Sequence, residues 1–296
     1  MNDPLIPFYL SKQLFRHAPD TQNIRLPFRH TESAGLLNTD ICSFTKITEQ
    51  VSAKGHYGVE VITDILNSYF EAMVDCIHRC GGCLLKYGGD SIFAIFPGSA
   101  EIAIPRTIHC RERMFESLKT LNLRYESDYN IQIVIDGAIK YGEVFLNVVG
   151  DERYHLDYYL DGNAVKELFE LGGIAPDGEI ILAPGIESYV NLPFIPPTPD
   201  SLGDYSVGEL FIPEMVRRKV KEQSFSAELR NTAVVFIQIC PLEEIGQIPV
   251  EAYHEYYHKI QRVVYELDGT INKIDYSDKG YLVLITFGTP HNHTDD

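Results

Sequence analysis

The chain has 296 residues, of which 45% are hydrophobic and 23% charged, a composition that suits a soluble globular protein of about two domains. Its 25 Lys and Arg against 42 Asp and Glu leave a formal net charge of −17, which argues against a nucleic-acid backbone or an anionic membrane as partner. Small anionic substrates remain compatible where metal ions supply the missing positive charge.

The N-terminal "MNDPLIPFYLSKQLF" lacks a basic leader followed by an apolar run, and no stretch approaches the roughly eighteen apolar residues of a membrane helix. The six cysteines show no regular spacing and read as reduced thiols. These features together predict a cytoplasmic protein with no membrane span.

Residues 1–34 lack a clear period and read as an N-terminal extension. A short apolar strand runs from Gly35 to Asp40. Val61, Ile62, Ile65, Leu66, Tyr69, Phe70, Met73, Val74 and Ile77 then recur at three- and four-residue steps, predicting a helix over 57–80 stopped by Gly81-Gly82. Cys76 and Cys80 share a face of that helix, but Cys83 lies beyond the glycines. With His78 nearby they read as buried structural thiols, not a metal site.

"CLLKY", a turn at Gly88-Gly89 and "SIFAIF" form a predicted hairpin. A helix follows over 100–122. "IQIVIDGAIKYGEVFLNVVG" predicts a pair of strands broken near Tyr141-Gly142. A helix near 162–172, the strand "EIILA" and a short helix near 184–190 complete the run. The order strand-helix-strand-strand-helix-strand predicts an α+β, ferredoxin-like (βαββαβ) domain over 35–190 with appended elements.

Residues 191–230 are proline-rich at first and read as a linker, ending in "PEMVRRKVKEQSFSAELR", a short basic helix with a solvated face. From Asn231 the chain echoes itself. "TAVVFIQIC" repeats the strand ending at Asp40, and Tyr253 to Leu267 repeats the long helix. "DGTINK" lines up with "GGCLLK", and "GYLVLITFG" with "SIFAIFPG". Residues 231–296 therefore read as a partial second copy, expected to stop after its third strand, with "HNHTDD" as a solvated tail.

In a split βαβ arrangement the first and third strands are neighbours. Asp40 ends the first and Asp90 begins the third, so the two carboxylates are expected to converge. Close carboxylates resist ionising unless a cation joins them, and hard oxygen ligands suit Mg²⁺. Backbone N–H groups of Cys42, Ser43, Phe44 and Thr45, at the mouth of a helical turn, form an anion-binding feature, with Thr45 and Thr48 as hydroxyl donors. Aspartates at strand ends and in Gly-Gly turns also serve local hydrogen bonding, and the residues alone leave both readings open.

"TDICSFTKITEQ" resembles the "DISGFT" segment of class III nucleotidyl cyclases, and "LLKYGGDSIFAIF" resembles their "KFAGDALLA" hairpin. "GNAVKEL", "SFSAELRNTAVVF" and "GTINKIDYSDKGYLVLITFG" are similar to the tandem catalytic domains of soluble, bicarbonate-responsive adenylyl cyclases and their bacterial relatives. The resemblance implies an adenylate cyclase that turns ATP into cyclic AMP and pyrophosphate in a site shared by two domains of one chain. Asp40 and Asp90 would hold two Mg²⁺ (or Mn²⁺) ions with the Ile41 carbonyl, one ion activating the ribose 3′-hydroxyl and the other gripping pyrophosphate. Lys273 matches the purine-reading lysine, which satisfies adenine N1 as an acceptor. Gln238 stands where the first copy has Asp40, so one site works and its twin, lined by Lys86, is degenerate.

Departures from the family pattern carry expectations of their own. Phe169 replaces the arginine of the bicarbonate-responsive members, so no bicarbonate response is expected. Ser43 replaces the glycine of "DISGFT". The asparagine and arginine that stabilise the transition state are expected beyond residue 296, with room there for a further regulatory region. The chain as given is then expected to bind Mg·ATP weakly and to cyclise it poorly. A catalytically silent, cyclase-like nucleotide-binding module is the alternative, and an interaction domain without nucleotide a third reading.

Overall fold

The computed structural model describes residues 25–52, 56–198, 205–213, 216–217, 232–239, 249–277 and 280–288. They fall into two compact units. One is built from residues 32–143 and 164–200, the other from 144–163 with the N-terminal and post-200 parts of the chain. Most of the N-terminal extension, nearly all of the basic helix expected over 213–230 and the "HNHTDD" tail lie outside the described residues. No described helix is long and apolar enough to cross a membrane.

In the first unit, β1 (Phe28–Ile41) leads through α1 (Phe44–Ser52) and α2 (His56–Arg79) to the hairpin β2 (Cys83–Gly88) and β3 (Ser91–Pro97). β1 begins at Phe28, not at Gly35. Its leading segment "FRHTES" has no apolar alternation to read, and Arg29 is held instead by Asn147 Oδ1 at 2.7 Å and by the ring of Phe145. α3 (Ala100–Tyr129) runs past the predicted end at 122, because Tyr125 turns inward and its hydroxyl donates to the Ile65 carbonyl. Asn130, in the left-handed region, ends it.

The strands order β2-β3-β1-β4, where β4 is Ile135–Asp151, all antiparallel between β2, β3 and β1, with β6 (Ile180–Leu182) parallel to β4. Ile65, Tyr69, Met73 and Ile77, four residues apart on α2, are buried with Ile104, Ile108 and Met114 of α3 and with Leu37 and Phe96 of the sheet. The period read from the sequence is thus the packed face of the helix. Cys76, Cys80 and Cys83 are all buried.

β4 is one strand, Ile135–Asp151, and does not break at Tyr141-Gly142. A Cβ at Gly142 would stand 2.7 Å from the Ala164 Cβ, so this glycine lets α4 (Asn163–Gly172) approach the strand and makes no turn. The hairpin turn lies instead between β4 and β5 (His155–Asp161). The segment expected to be helical over 184–190 holds only a 3-10 turn, Glu187–Tyr189, after Gly185 in the left-handed region. Within the proline-rich stretch, Phe194 stacks on His109, and Arg106 donates to the Ile195 carbonyl, docking that segment on α3.

In the second unit, β7 (Ala233–Ile239), α5 (Val250–Glu266), β8 (Thr270–Ser277) and β9 (Gly280–Phe287) form a three-stranded sheet of order β7-β9-β8 under one helix. Tyr253, Tyr257 and Val264 of α5 pack with Ile271, Val283, Ile285 and with Tyr159 of β5. β5 is buried along its whole length, carboxylates included. Asp157 accepts the Ile274 N–H at 2.9 Å and the Tyr257 hydroxyl at 3.3 Å, while Asp161 accepts the Tyr281 hydroxyl at 2.9 Å. Such pairing is what lets a carboxylate stay inside.

The two strand-helix-hairpin runs share fine detail. The register of β2 on β3 slips between Leu84 and Lys86, and that of β8 on β9 slips between Ile271 and Lys273. A Cβ on Gly82 would meet the Phe96 ring at 2.5 Å, and one on Gly269 would meet the Phe287 ring at 2.5 Å.

Candidate functional site

Asp40 is the penultimate residue of β1 and exposed; Asp90 is half-buried in the turn that opens β3. Because β1 pairs directly with β3, up to Thr39 opposite Ile92, the two side chains meet. Their carboxyls lie within hydrogen-bonding reach of each other, and Asp90 also accepts the Ile41 N–H. Burial first, and then the charge of Asp40, push the Asp90 carboxyl up to about 7. A half-buried carboxyl set against a second one is a donor set that a divalent cation fits.

Ile41 itself is buried, and its N–H also reaches Asp40 Oδ1 at 3.1 Å. Beyond it the anion-binding loop is smaller than expected. The Cys42 N–H donates to the Val134 carbonyl at 2.9 Å, which withdraws it from any phosphate. The Ser43 carbonyl accepts the N–H groups of Lys46 and Ile47, starting α1, so the N–H groups of Ser43, Phe44 and Thr45 stand ahead of the first helical bond. Phe44 packs against the core, Thr45 is exposed, and the Thr48 hydroxyl is spent on the Thr45 carbonyl at 2.8 Å. Ser43 takes φ 56°, the left-handed conformation that a glycine would hold without strain.

Sequence reasoning missed one neighbour of this loop. The Cys42 thiol donates to Asp136 Oδ2 at 3.1 Å, across 94 residues of chain. With Asp177 these form the one group of three metal-capable side chains among the described residues, their ligand atoms all within 4.8 Å. Burial, then the bond to Asp136, push the Cys42 thiol up to about 12, and burial raises Asp136. No local pattern announces a contact between a turn, a strand and a distant loop.

Lys86 sits on β2 opposite Phe93, half-buried, and the Phe169 ring meets the Phe93 ring edge-on at 5.2 Å. Phe169, the residue expected to replace an arginine, is thus engaged in an aromatic contact. In the other unit, Lys273 holds the matching place on β8, and its Nζ pairs with Asp275 Oδ2 at 2.6 Å. Gln238, near the end of β7, is exposed and occupies the register position of Asp40.

Comparison with known proteins agrees with this architecture. Adenylate cyclase type 10 of Homo sapiens is 25% identical over an alignment covering 91% of this chain and 20% of that protein. Adenylate cyclase 2 of Rhizobium meliloti is 23% identical over 44% of this chain and 36% of its own length. The chain spans about a fifth of the length of the type 10 relatives it matches. A bacterial light-regulated adenylyl cyclase of known structure superposes with a TM-score of 0.50 at 20% identity, covering 62% of this chain and 53% of that one. No protein-family model matches. The chain resembles class III nucleotidyl cyclases, and its mixed α+β fold has cyclase domains as structural neighbours.

Proposed function

We propose that this chain is the catalytic part of a class III adenylate cyclase, forming cyclic AMP and pyrophosphate from ATP. The observation that carries the reading is the meeting of Asp40 and Asp90 at the joined ends of β1 and β3. Asp40 and Asp90, with the Ile41 carbonyl, are the residues that would hold a pair of Mg²⁺ or Mn²⁺ ions. Such ions supply Lewis-acid activation of the ribose 3′-hydroxyl and neutralise phosphate charge.

The chain's own groups divide the remaining work. The N–H groups of Ser43, Phe44 and Thr45 bind phosphate at the start of α1. Lys273, which pairs with Asp275, carries an ammonium of the kind that adenine N1 can accept from. The order β2-β3-β1-β4 supports a ferredoxin-like domain, and the repeated slip and glycine contact support residues 231–296 as part of a second copy. Gln238, a neutral amide, cannot replace the acid of the first copy. One competent site and one degenerate twin follow, with Lys86 in the twin.

Thermal unfolding with Mn·ATP and with Mn·GTP, followed by assay of the cyclic product, tests the proposal. ATP is expected to raise the melting temperature modestly, to give cyclic AMP slowly and in place of cyclic GMP, and to do neither in Asp90→Ala. A nucleotide shift that survives Asp90→Ala would sink the reading.

A further inference from the structure

Six buried side-chain polar atoms among the described residues lack a hydrogen-bond partner, and two of them lie together next to Asp40 in the chain and beneath it: Thr39 Oγ1 and the Tyr69 hydroxyl. Thr39 and Tyr69 are wholly buried. Tyr69 reaches from α2 to β1, where its hydroxyl lies beside that of Thr39 and within the electrostatic reach of both Asp40 and Asp90. Neither hydroxyl makes a hydrogen bond of acceptable geometry. Burying a hydroxyl in that state is unfavourable, and Phe at 69 with Val at 39 would fill the same space without the penalty.

The second strand-helix-hairpin run makes that exchange at the strand position, while its helix keeps a tyrosine, Tyr256, at the place of Tyr69. Ile237 holds the register position of Thr39, and the next residue there is Gln238, not an acid. The strand hydroxyl and the carboxylate are present together in one run and absent together in the other. The Thr39 hydroxyl is therefore not something the scaffold requires.

We propose that Tyr69 is a positioning residue of the Asp40–Asp90 pair: its hydroxyl, with that of Thr39, is a donor kept for the carboxylate oxygens that face away from a bound divalent cation. A carboxylate that ligates through one oxygen keeps open lone pairs on the other, and a donor behind it fixes its direction. Tyr69 has this role only if the pair holds a cation, so it depends on the function proposed above.

Binding of Mn²⁺, read from loss of the free-ion electron paramagnetic resonance signal, tests the role in the wild-type protein, Tyr69→Phe, Thr39→Val and Asp90→Ala. Thermal unfolding of each metal-free protein runs alongside. Tyr69→Phe is expected to weaken Mn²⁺ binding roughly tenfold, the scale on which lost outer partners of metal ligands act, while its metal-free melting temperature stays level or rises. Thr39→Val is expected to follow it in both respects. Unchanged Mn²⁺ affinity in both variants overturns the role. So does a metal-free Tyr69→Phe that melts lower, because the hydroxyl would then have a partner without any cation. A wild-type protein whose Mn²⁺ binding does not depend on Asp90 removes the metal pair itself and Tyr69's role with it. Asp90-dependent binding that ignores Tyr69 and Thr39 removes the role alone.

Discussion

Residues 28–97 and 233–287 each fold as strand, helix and hairpin, and the contacts that set the backbone recur in both. Gly82 lies under the Phe96 ring as Gly269 lies under that of Phe287, and each hairpin slips register just before its lysine. What does not recur is the end of the first strand. There β1 carries Asn38-Thr39-Asp40 between two neighbouring strands, whereas β7 carries Phe236-Ile237-Gln238 and pairs with β9 alone among the described residues. Phe236 and Val234 are at least half exposed on β7, while their register counterparts Asn38 and Leu36 are buried. The contacts that set the backbone and the acid at the strand end therefore rest on separable residues.

The widest gap between the two runs is expected in metal binding. Asp90→Ala should weaken Mn²⁺ affinity on the order of a hundredfold or more, and Gln238→Ala should leave it unchanged, both read by titration. Equal effects of the two substitutions would break the distinction. Next in size is the shared glycine contact. Gly82→Ala and Gly269→Ala should each cost about 1–3 kcal/mol in denaturant unfolding, because an aromatic ring must move in a packed core. A large cost at one site only would mean that the two contacts are not equivalent.

A pH series separates the runs again. The folded protein holds the Asp90 proton more tightly than the unfolded chain, since the carboxyl is raised to about 7. The stabilisation this gives is full below the ordinary carboxylate range and is lost as pH rises through 7. The melting temperature of the metal-free protein should accordingly fall between about pH 4 and pH 7. Asp90→Asn should flatten that slope, while Gln238→Ala should leave it. The smallest effect belongs to Ser43, whose left-handed backbone is strained. Ser43→Gly is expected to stabilise the protein by about 1 kcal/mol in the same unfolding assay.

Much of the first run was legible because its signals are local. The four-residue spacing from Val61 to Ile77 is the buried face of α2, and Gly89 at positive φ makes the predicted turn. The pairing of β1 with β3 follows from element order, and it brings Asp40 to Asp90. Elsewhere the determinants are not local. β5, "HLDYYLD", is buried on both faces, and its aspartates are held there by neighbouring backbone N–H groups and by Tyr257, Tyr281 and the Ile274 N–H, which arrive from a hundred or more residues away. Gly142 looks like a break in sequence, but it is a place where a helix touches a strand. The approach of Asp136 and Asp177 to Cys42 has no sequence periodicity behind it, and the loss of the Cys42 N–H to Val134 is equally silent.

The slip ahead of each lysine has a consequence for reading distant relatives. With two residues of β2 set against one of β3, the parity of the strand changes at Leu85, and at Asn272 in β8. Inside-outside alternation counted from the core end of either strand predicts the wrong side chain at its tip. A similar chain that lacks the extra residue would turn the neighbour of the aligned lysine to the face that Lys86 and Lys273 hold here, so the side chain at that place should be read from the position after the irregularity, not from column matching alone.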